Sequence, residues 1–479
     1  MTVRIITSLV FVVLLMASKL HASEMHKELD RFMQGFVDIK QFNGTVLVSK
    51  GDDIIFEKAY GYANFEWDVN NTIDTKYRIA SVTKPFTAVL IMQLVQEGKI
   101  ELDAPITQYL KDYRKDTGDK ITIHHLLNHT SGIPDFLRLR EIREIRGKNP
   151  YSVEEFVAKF CSEDLDFSPG TQWRYSNSGY TILGHIMEVI TGKTYAQLLE
   201  EKIFTPLEMK DSGYDFHHTV KKKKASGYAK TFKGFEHAEF YDMNIPYASG
   251  AIYSTAHDLM RWERALHSEK LLKKSLMDKM YQISHHRNYG YGWFIDDIPT
   301  EKYGHQLTKI SHAGMIQGFN SYVVRYIEDQ YSIVILNNTG GAPMRSMTAG
   351  ITNILYGKPY AKARPRIYTN LYNIINTDGL DAGISKYHAL NKEGIKLGER
   401  GLNYFGYELL KVNMTKEAIA FFKLAVELVP SSSNVHDSLG EAYLKNNDKK
   451  MALHHYKKSF ELDQSNSNAQ KAITKLEKK

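Results

Sequence analysis

Disulfide bonds within the chain are excluded by composition, because its 479 residues include a single cysteine, Cys161. The fold must then be stable through its core alone, even in an oxidising compartment. The net charge of +7 is modest for this length, and the one four-residue basic run, Lys221–Lys224, has no accompanying aromatic cluster or groove-reading helix. We therefore interpret that run as a solvated loop and expect no nucleic-acid partner.

The sequence also lacks the histidine spacing that is typical of a metal-binding site. Adjacent histidines occur four times, at His124-His125, His217-His218, His285-His286 and His454-His455. None of these pairs belongs to a His-Glu-x-x-His pattern, so we interpret them as surface or capping residues. We expect neither a metal nor a cofactor. His129, which has no adjacent histidine, is predicted to be structural, with its ring bonded to backbone in a loop.

The N-terminal apolar segment, Ile5–Met16, is too short to be a membrane anchor. Hydroxyl residues interrupt it, and it falls below the ~20 residues that span a bilayer. With Arg4 before it and small residues up to Ala22 after it, the segment has the layout of a secretory signal peptide. We predict that residues 1–22 are removed, that the protein is exported to the periplasm or secreted, and that no stable membrane span is left.

Length and hydrophobic pattern indicate two or three domains. A β-hairpin with its turn at Lys50-Gly51-Asp52 opens the first domain, and mostly helical segments follow. Four later strands are predicted at Gly290–Ile295, Ile310–Ala313, Ser321–Tyr326 and Tyr331–Leu336. Strands at both ends with helices between them imply an α/β domain over residues 25–356, in which one mostly antiparallel sheet surrounds a helical insertion.

A 34-residue period marks the C-terminal part of the chain. Small and aromatic residues recur at this spacing: Gly406, Ala418, Phe422 and Ala425 are matched by Gly440, Ala452, Tyr456 and Ser459. The pattern resembles tetratricopeptide repeats. We assign residues 396–479 to an all-α repeat domain and residues 357–395 to a partly helical linker that caps or extends the stack. The repeats either bind a peptide or protein partner or are a packing appendage, and both interpretations stay open.

The stretch Ile79–Phe86 predicts a helix that begins with a nucleophile. Ser81 and Lys84 stand three residues apart and share one helix face, so the Lys84 amine can reach the Ser81 hydroxyl. Ser81 is the only serine in the chain with a lysine at the third position after it. Apolar residues continue at helical spacing until Gly98, which places this helix in the core. Ser81 is therefore a candidate activated serine.

Acyl transfer by such a serine also needs a group that accepts its proton and donors for the oxyanion. Lys84 supplies a cation or, when neutral, a base, and a tyrosine near that cation, partly as phenolate, can shuttle the proton. The candidates are three Tyr-x-Asn triplets, Tyr62-Ala63-Asn64, Tyr175-Ser176-Asn177 and Tyr368-Thr369-Asn370. Position favours the second triplet, because it follows a Pro-Gly turn and precedes the apolar helix predicted at Ile182–Ile190.

Five separated motifs resemble those of the serine β-lactamase-related family, which includes class C β-lactamases, D-alanyl-D-alanine carboxypeptidases and related esterases and peptidases. They are Ser81-Val-Thr-Lys84, Leu126-Leu-Asn-His-Thr-Ser-Gly132, Pro169-Gly-Thr171 leading to Tyr175-Ser-Asn177, Ala248-Ser-Gly-Ala-Ile-Tyr-Ser-Thr255, and His312-Ala-Gly314 followed by Gly318-Phe319. The resemblance covers roughly residues 30 to 356. It implies a β-lactamase/transpeptidase-like fold, in which an antiparallel sheet flanked by helices is joined by a helical subdomain.

The resemblance also implies catalytic roles. Ser81 is expected to be the acylated nucleophile, Lys84 its activating partner and Tyr175 the proton shuttle, with the division of the base role between the last two left open. Asn177 is expected to hydrogen-bond the Lys84 amine and a substrate amide.

The resemblance also implies a role for the strand motif His312-Ala313-Gly314, whose sequence differs from the one typical of the lactamase members. The backbone N–H groups of Ser81 and Met315 are expected to form the oxyanion hole, while His312 and Gly314 contact substrate. Lactamase members typically have Lys-Thr-Gly where this chain has His312-Ala313-Gly314. A mostly neutral histidine and the loss of a hydroxyl donor should weaken the binding of a β-lactam or peptide carboxylate.

We therefore predict an exported serine hydrolase that cleaves an amide or ester bond of a small-molecule or peptide substrate through a covalent acyl-serine intermediate. A D,D-peptidase, an esterase or a related peptidase is favoured over a dedicated β-lactamase. The alternative is a non-catalytic peptide- or partner-binding protein, in which the repeats carry the function. The joint presence of Ser81, Lys84, Tyr175 and Asn177 favours the enzyme, because a scaffold requires none of them.

Overall fold

The computed structural model describes residues 23–284 and 287–478. The predicted signal peptide and the His285-His286 pair lie outside these ranges. The chain divides into two units, of which the first comprises Met1–Lys230 and Glu236–Ala363 and the second comprises Thr231–Phe235 and Arg364–Lys479. No helix within the described ranges is both long and apolar enough to cross a bilayer.

Within the described ranges, the strands form one large sheet and three small ones. They are β1 (Gly44–Lys50), β2 (Asp53–Tyr60), β3 (Tyr62–Asn64), β4 (Val69–Asn70), β5 (Tyr77–Arg78), β6 (Gly213–Tyr214), β7 (Tyr228–Thr231), β8 (Gly234–His237), β9 (Ile252–Ser254), β10 (Phe294–Ile298), β11 (Leu307–Ile316), β12 (Phe319–Tyr326) and β13 (Tyr331–Asn337). The large sheet has the order β10-β11-β12-β13-β1-β2 and is antiparallel throughout. The expected sheet built from both ends of the domain is thus confirmed.

Within the described ranges, the helices of the first unit are mostly inserted between β2 and β10, but one precedes β1 and two follow β10. They are α1 (residues 23–38), α2 (Thr83–Gln96), α3 (Lys115–Gly118), α4 (Ile123–Leu127), α5 (Arg140–Glu144), α6 (Val153–Phe160), α7 (Asn177–Thr191), α8 (Tyr195–Leu199), α9 (Tyr247–Gly250), α10 (Ala256–Ala265), α11 (Lys274–Met280), α12 (Thr300–Tyr303) and α13 (Met344–Leu355). Three-residue 3-10 turns occur at Ala80–Val82, Ile106–Gln108 and Phe136–Arg138, and a five-residue π-helical turn occurs at Glu200–Phe204. The β-lactamase/transpeptidase-like arrangement of sheet, flanking helices and helical subdomain is therefore present.

The large sheet separates two hydrophobic cores. Alternate side chains of a strand point to opposite faces, and in β13 Val334 and Leu336 face one core while Ile333 and Ile335 face the other. The first core is shared with the inserted helices, and the second is covered by α1 and α13. Because both faces are buried, β12 and β13 are buried along their whole length. Helix α2 lies in the first core, where Phe86 stacks on Trp262 with 4.0 Å between ring centroids.

Three local predictions were wrong in extent or environment. The strand predicted at Gly290–Ile295 begins only at Phe294, because Gly290 packs against the Met280 carbonyl and Gly292 adopts a positive φ of 80°. The helix predicted from Ile182 already begins at Asn177. The Lys221–Lys224 run is not simply solvated. Three of its amines form ion pairs, Lys221 and Lys224 with the fully buried Asp215 and Lys223 with Asp74.

Apart from the short segment Thr231–Phe235, the second unit is built from consecutive helices. They are α14 (Ile367–Asp378), α15 (Leu380–Lys392), α16 (Glu399–Lys411), α17 (Thr415–Leu428), α18 (Ser433–Lys445), α19 (Lys449–Leu462) and α20 (Ser467–Glu477). Gly406 lies against the ring of Phe422, where an added Cβ would approach to 2.6 Å, and Gly440 lies in the same way against Tyr456 at 3.1 Å. The two contacts are 34 residues apart and explain the repeated glycine and aromatic positions.

Candidate active site

The candidate nucleophile lies on a strained turn between β5 and α2. Ala80 has a positive φ of 48°, which is costly for a residue with a side chain and persists only where surrounding contacts impose it. Those contacts include hydrogen bonds on both sides of Ile79, whose N–H donates to the Ile252 carbonyl at 3.0 Å and whose carbonyl accepts from Ser321 Oγ at 2.6 Å. The turn holds Ser81, which is partly exposed, on the wall of a cleft.

Lys84 lies fully buried behind Ser81, as the three-residue spacing predicted. Its Nζ donates to Ser81 Oγ at 3.2 Å, to Asn177 Oδ1 at 2.8 Å and to the Ser249 carbonyl at 2.9 Å. Burial lowers the pKa of Lys84 to about 7, although the charge of Asp135 partly opposes the shift. A lysine with this pKa exchanges its proton near neutral pH, which is the property required of a base for the serine hydroxyl.

Asp135 is a site residue that the sequence analysis missed. Its carboxylate accepts two hydrogen bonds from Asn177 Nδ2, at 3.0 and 3.2 Å. Because the amide nitrogen faces this carboxylate, the amide oxygen of Asn177 must face Lys84. Asp135 also caps the turn at Phe136–Arg138 by accepting from the Leu137 N–H at 3.2 Å. Its place after Pro134 indicated only a turn, and the chain does not bring it to Asn177 until α7 is packed.

Tyr175 lies beside the Lys84 amine, with 4.7 Å between Nζ and the ring centroid. Burial raises its pKa above the ordinary value, and the nearby Ser81 hydroxyl only partly opposes this. The expected partial phenolate is therefore not favoured in the free enzyme. A neutral phenol in this position can still accept one proton while it donates its own. The triplets beginning at Tyr62 and Tyr368 contribute nothing to the hydrogen bonds of Lys84.

An aromatic cluster encloses Tyr175. His129 lies 4.4 Å from the Tyr175 ring centroid to centroid, and His312 lies 6.2 Å from it. His129 Nδ1 accepts from the Ser176 N–H at 3.2 Å, which matches the structural role predicted for this ring. Tyr289, which the sequence analysis did not single out, lies 3.2 Å from His312 Nε2 through its hydroxyl. The cluster fixes the ring of Tyr175 in place.

His312 is placed differently from expectation. Only 1% of the residue is exposed, and its Nδ1 faces the Ala313 carbonyl at 2.8 Å, so Nδ1 carries the proton and Nε2 accepts from Tyr289. Burial, and secondarily the Lys84 charge, lower the pKa of His312 to about 3. His312 is thus a neutral ring behind Tyr175, suited to positioning that tyrosine.

Gly314 and Met315 lie on β11 beside the Ser81 turn. A Cβ at position 314 would lie 2.1 Å from the Ile79 carbonyl oxygen, so only glycine lets the strand approach the turn this closely. Met315 is 78% exposed and lines the same cleft as Ser81. The two residues expected to form the oxyanion hole therefore line one cleft.

The cleft has a volume of about 430 Å³. Phe136, Leu137, Tyr241 and Ile316 give it apolar surface, and Ser81 and Asn177 bring the polar groups to its wall. Within the described residues, no group of three or more histidine, cysteine or acidic side chains is arranged to hold a metal ion. The polar groups that meet at Ser81 are those of serine-based acyl transfer.

Comparison with known proteins gives the same class. The fold and its solved neighbours define a serine hydrolase of the penicillin-binding and β-lactamase type. The family model named Beta-lactamase matches residues 29–355, and the chain belongs to this family.

Individual relatives agree with this assignment. A penicillin-binding protein of Bacillus subtilis (strain 168) is 26% identical over 356 residues, covering 70% of this chain and 77% of its own. The crystal structure of a penicillin-binding protein from Bacillus halodurans is 27% identical with a TM-score of 0.58, covering 68% of this chain and 97% of its own. A D-amino acid amidase from Ochrobactrum anthropi SV3 is 25% identical with a TM-score of 0.58, covering 70% of this chain and 96% of its own.

Proposed function

We propose that this protein hydrolyses an amide or ester bond through a covalent intermediate on Ser81. The observation that carries the proposal is the environment of Lys84. Its buried amine has a pKa near 7 and lies 3.2 Å from the serine oxygen. A lysine of the ordinary pKa of about 10.4 would hold its proton at neutral pH and could not accept another from serine.

The reaction begins when neutral Lys84 accepts the Ser81 proton while Oγ attacks the substrate carbonyl carbon. The backbone N–H groups of Ser81 and Met315 stabilise the negative oxygen of the tetrahedral intermediate. Lys84 then passes its proton to the Tyr175 hydroxyl, which gives its own to the leaving amine or alcohol as the bond to the acyl carbon breaks. Water repeats the sequence on the acyl-serine and releases the acid.

Asn177 and Asp135 act as positioning residues in this scheme. The Asn177 amide oxygen holds the Lys84 ammonium after proton transfer, and Asp135 fixes the direction of that amide. His312 supports Tyr175 through the aromatic cluster.

The strand motif favours an esterase, peptidase or amidase over a dedicated β-lactamase. His312 is buried and Ala313 has no hydroxyl, so this part of the strand offers neither a cation nor a hydroxyl donor to a β-lactam carboxylate. The likeness to a D-amino acid amidase supports an amide substrate in particular. Export follows from the N-terminal sequence pattern and is part of the same proposal.

Active-site labelling tests the proposal. A fluorescent fluorophosphonate and a fluorescent penicillin are each incubated with the wild type, Ser81→Ala and the surface control Ser268→Ala, and the labelled peptide is mapped. We expect fluorophosphonate labelling of Ser81 in the wild type and Ser268→Ala and none in Ser81→Ala, with penicillin labelling weak or absent. Failure to label the wild type, or labelling that survives Ser81→Ala, would contradict the enzyme assignment. Rapid turnover of penicillin would instead identify a β-lactamase.

A further inference from the structure

The charge of the cleft beside Ser81 is one-sided. Among the described residues that line it, Arg146 is the one charged side chain, and no carboxylate lines it. Behind the wall, the buried Lys84 amine and the Asp135 carboxylate bind opposite ends of the Asn177 amide, so their charges oppose each other. The charge on the cleft wall is therefore that of Arg146, which raises the local concentration of anions and disfavours cations.

Arg146 is incompletely paired. Its Nε is buried and makes no hydrogen bond to any described residue. Within the described chain its carboxylate neighbour is Glu239, whose oxygen lies 3.9 Å from Nη1 and whose side chain is 79% exposed. An exposed pair at this distance contributes little, so a ligand anion can replace Glu239 at small cost. The side chain of Arg146 is about a third exposed.

The backbone that carries Arg146 is nevertheless fixed. Asp242, which is 2% exposed, donates its N–H to the Arg146 carbonyl at 2.8 Å. Its side chain accepts from the Asn149 N–H at 2.9 Å and from the Asn244 N–H at 2.9 Å. One buried carboxylate therefore joins the loop before α6 to the segment that carries Tyr241. The position of Arg146 on the cleft is set by the fold, and only its side chain is left to rearrange.

From these contacts we infer that Arg146 binds a carboxylate or another anionic group of the substrate, and that the enzyme acts preferentially on amides or esters that carry one. The anionic group lies on the side of the cleft formed by Phe136, Arg146 and Tyr241, because the His312-Ala313 part of the opposite strand presents no cation. A guanidinium is suited to this task because it meets a carboxylate with two parallel hydrogen bonds. The inference rests on the proposed function and adds the substrate class to it.

Matched ester pairs test the inference. p-Nitrophenyl hydrogen glutarate and its methyl ester differ in charge on the acyl side, and 4-acetoxybenzoate and its methyl ester differ in charge on the leaving-group side. The readout is the ratio of kcat/KM for the anionic ester to that for its neutral partner. We expect a ratio above one in at least one pair for the wild type, and a fall of about 10- to 100-fold in that ratio in Arg146→Gln, the size typical of a lost charged hydrogen bond. Arg146→Lys should keep an intermediate ratio.

Glu239→Gln is the matched control, because it changes the charge next to Arg146 and leaves the guanidinium in place. Its ratio should equal or exceed that of the wild type. Equal ratios for the wild type and Arg146→Gln in both pairs, with measurable turnover, would overturn the inference and leave the hydrolase proposal standing.

A binding measurement distinguishes failure of the proposed hydrolase activity from failure of the anion site. If no ester is turned over, the affinity of Ser81→Ala for p-nitrophenyl hydrogen glutarate and for its methyl ester is measured by calorimetry, with and without Arg146→Gln. Tighter binding of the anion that depends on Arg146 would support the anion site although the proposed hydrolase had failed. Absence of that dependence would overturn the site as well.

Discussion

Two sets of buried charges in the first unit are held in opposite ways. The Lys84 amine has three oxygen acceptors, each within 3.2 Å. Glu263 of α10 and Arg325 of β12 are also fully buried, but the nearest approach between Arg325 Nε and Glu263 Oε2 is 3.7 Å. Neither carboxylate oxygen of Glu263 has a hydrogen-bond partner among the described residues.

The surroundings of the second pair explain how it is tolerated. Arg325 donates from Nη2 to the Tyr281 hydroxyl at 2.6 Å and lies over the rings of Tyr281 and Trp293, at 5.3 and 5.4 Å from their centroids. Burial raises the pKa of Glu263 to about 7, although Arg325 opposes the shift. Each site thus contains a group that titrates near neutrality. At Lys84 the proton can be exchanged with the Ser81 hydroxyl. The ionic partner of Glu263 among the described residues is Arg325, so we expect its titration to change stability.

Lys84→Met should give the largest effect, because it removes the titratable group from the catalytic one of the two buried sites. Removal of the base is expected to slow acylation of Ser81 by about 10³-fold or more, and Tyr175→Phe should do the same because the two residues act as one unit. Fluorophosphonate labelling rates measure this, with Lys202→Met as a control that keeps the wild-type rate. Near-normal acylation in either site variant would contradict the proton-transfer scheme.

The same Lys84→Met variant should be more stable than the wild type at pH 6. The pKa of Lys84 is lower in the folded state than in the unfolded chain, so the unfolded chain binds its proton more tightly. Wild-type stability therefore rises with pH between about 7 and the ordinary lysine value, and the burial of the charge is unfavourable below that window. Urea midpoints at pH 6 should increase in Lys84→Met, and a decrease would contradict this account.

Glu263→Gln tests the other side of the comparison. Because the pKa of Glu263 is raised in the folded state, its proton stabilises the fold at low pH, and that contribution is lost as the pH rises from about 4.5 to 7. The shift corresponds to on the order of 3 kcal/mol across this range. The difference in unfolding free energy between variant and wild type should therefore change over pH 4.5–7.5, in favour of the variant at the upper end.

Glu97→Gln is the control for this measurement. The pKa of Glu97 is lowered by hydrogen bonds to Lys202 and Lys99, so its contribution is lost only as the pH falls through the acidic range. It should not alter the slope of stability between pH 5 and 7.5. A Glu263→Gln variant with the wild-type slope in that window would mean that the carboxylate stays ionised in the core.

Asp135→Asn should give the smallest effect, and it tests the influence of the Asp135 carboxylate on the pKa of Lys84. Loss of the charged hydrogen bonds to Asn177 is expected to reduce the maximal acylation rate by about 10- to 100-fold. Because Asp135 raises the pKa of Lys84, its neutralisation should also move the rise of the rate with pH toward lower pH. Asp166→Asn, whose partners are the exposed Arg138 and Arg174, is the matched control. An unshifted pH profile with a reduced rate would indicate a purely structural role.

The sequence predicted those parts of the site that are local or carried by motifs. Ser81 and Lys84 share a helix turn, so their contact follows from spacing, and Asn177 follows from the Tyr-x-Asn motif and reaches Lys84 as expected. Asp135 could not be found in this way, because its contact with Asn177 joins residues 42 apart in sequence. The surroundings of His312 were missed for a related reason, since its ring contacts Tyr289, which lies just before the strand predicted at Gly290–Ile295.

The fold was also predictable where its features are local in sequence and not where they depend on packing. The antiparallel sheet and the 34-residue repeat were predictable, because apolar runs bounded by polar turns and recurrent small residues appear directly in the sequence. The ionic contacts of Lys221–Lys224 and the Glu263–Arg325 pair were not, since each depends on a partner brought from another element by packing. A run of charged residues in the sequence therefore did not show which partners its side chains contact in the fold.

Cys161 has a consequence for spectroscopy. It is the one cysteine of the chain, it is fully buried in the core of the first unit, and burial raises the pKa of its thiol. A maleimide reagent reacts with exposed thiolates and should leave this residue untouched in the folded protein. A cysteine introduced at Leu137, which is 43% exposed on the cleft, would then carry a single fluorophore or spin label beside Ser81. Substrate arrival could be followed in real time without removing the native cysteine.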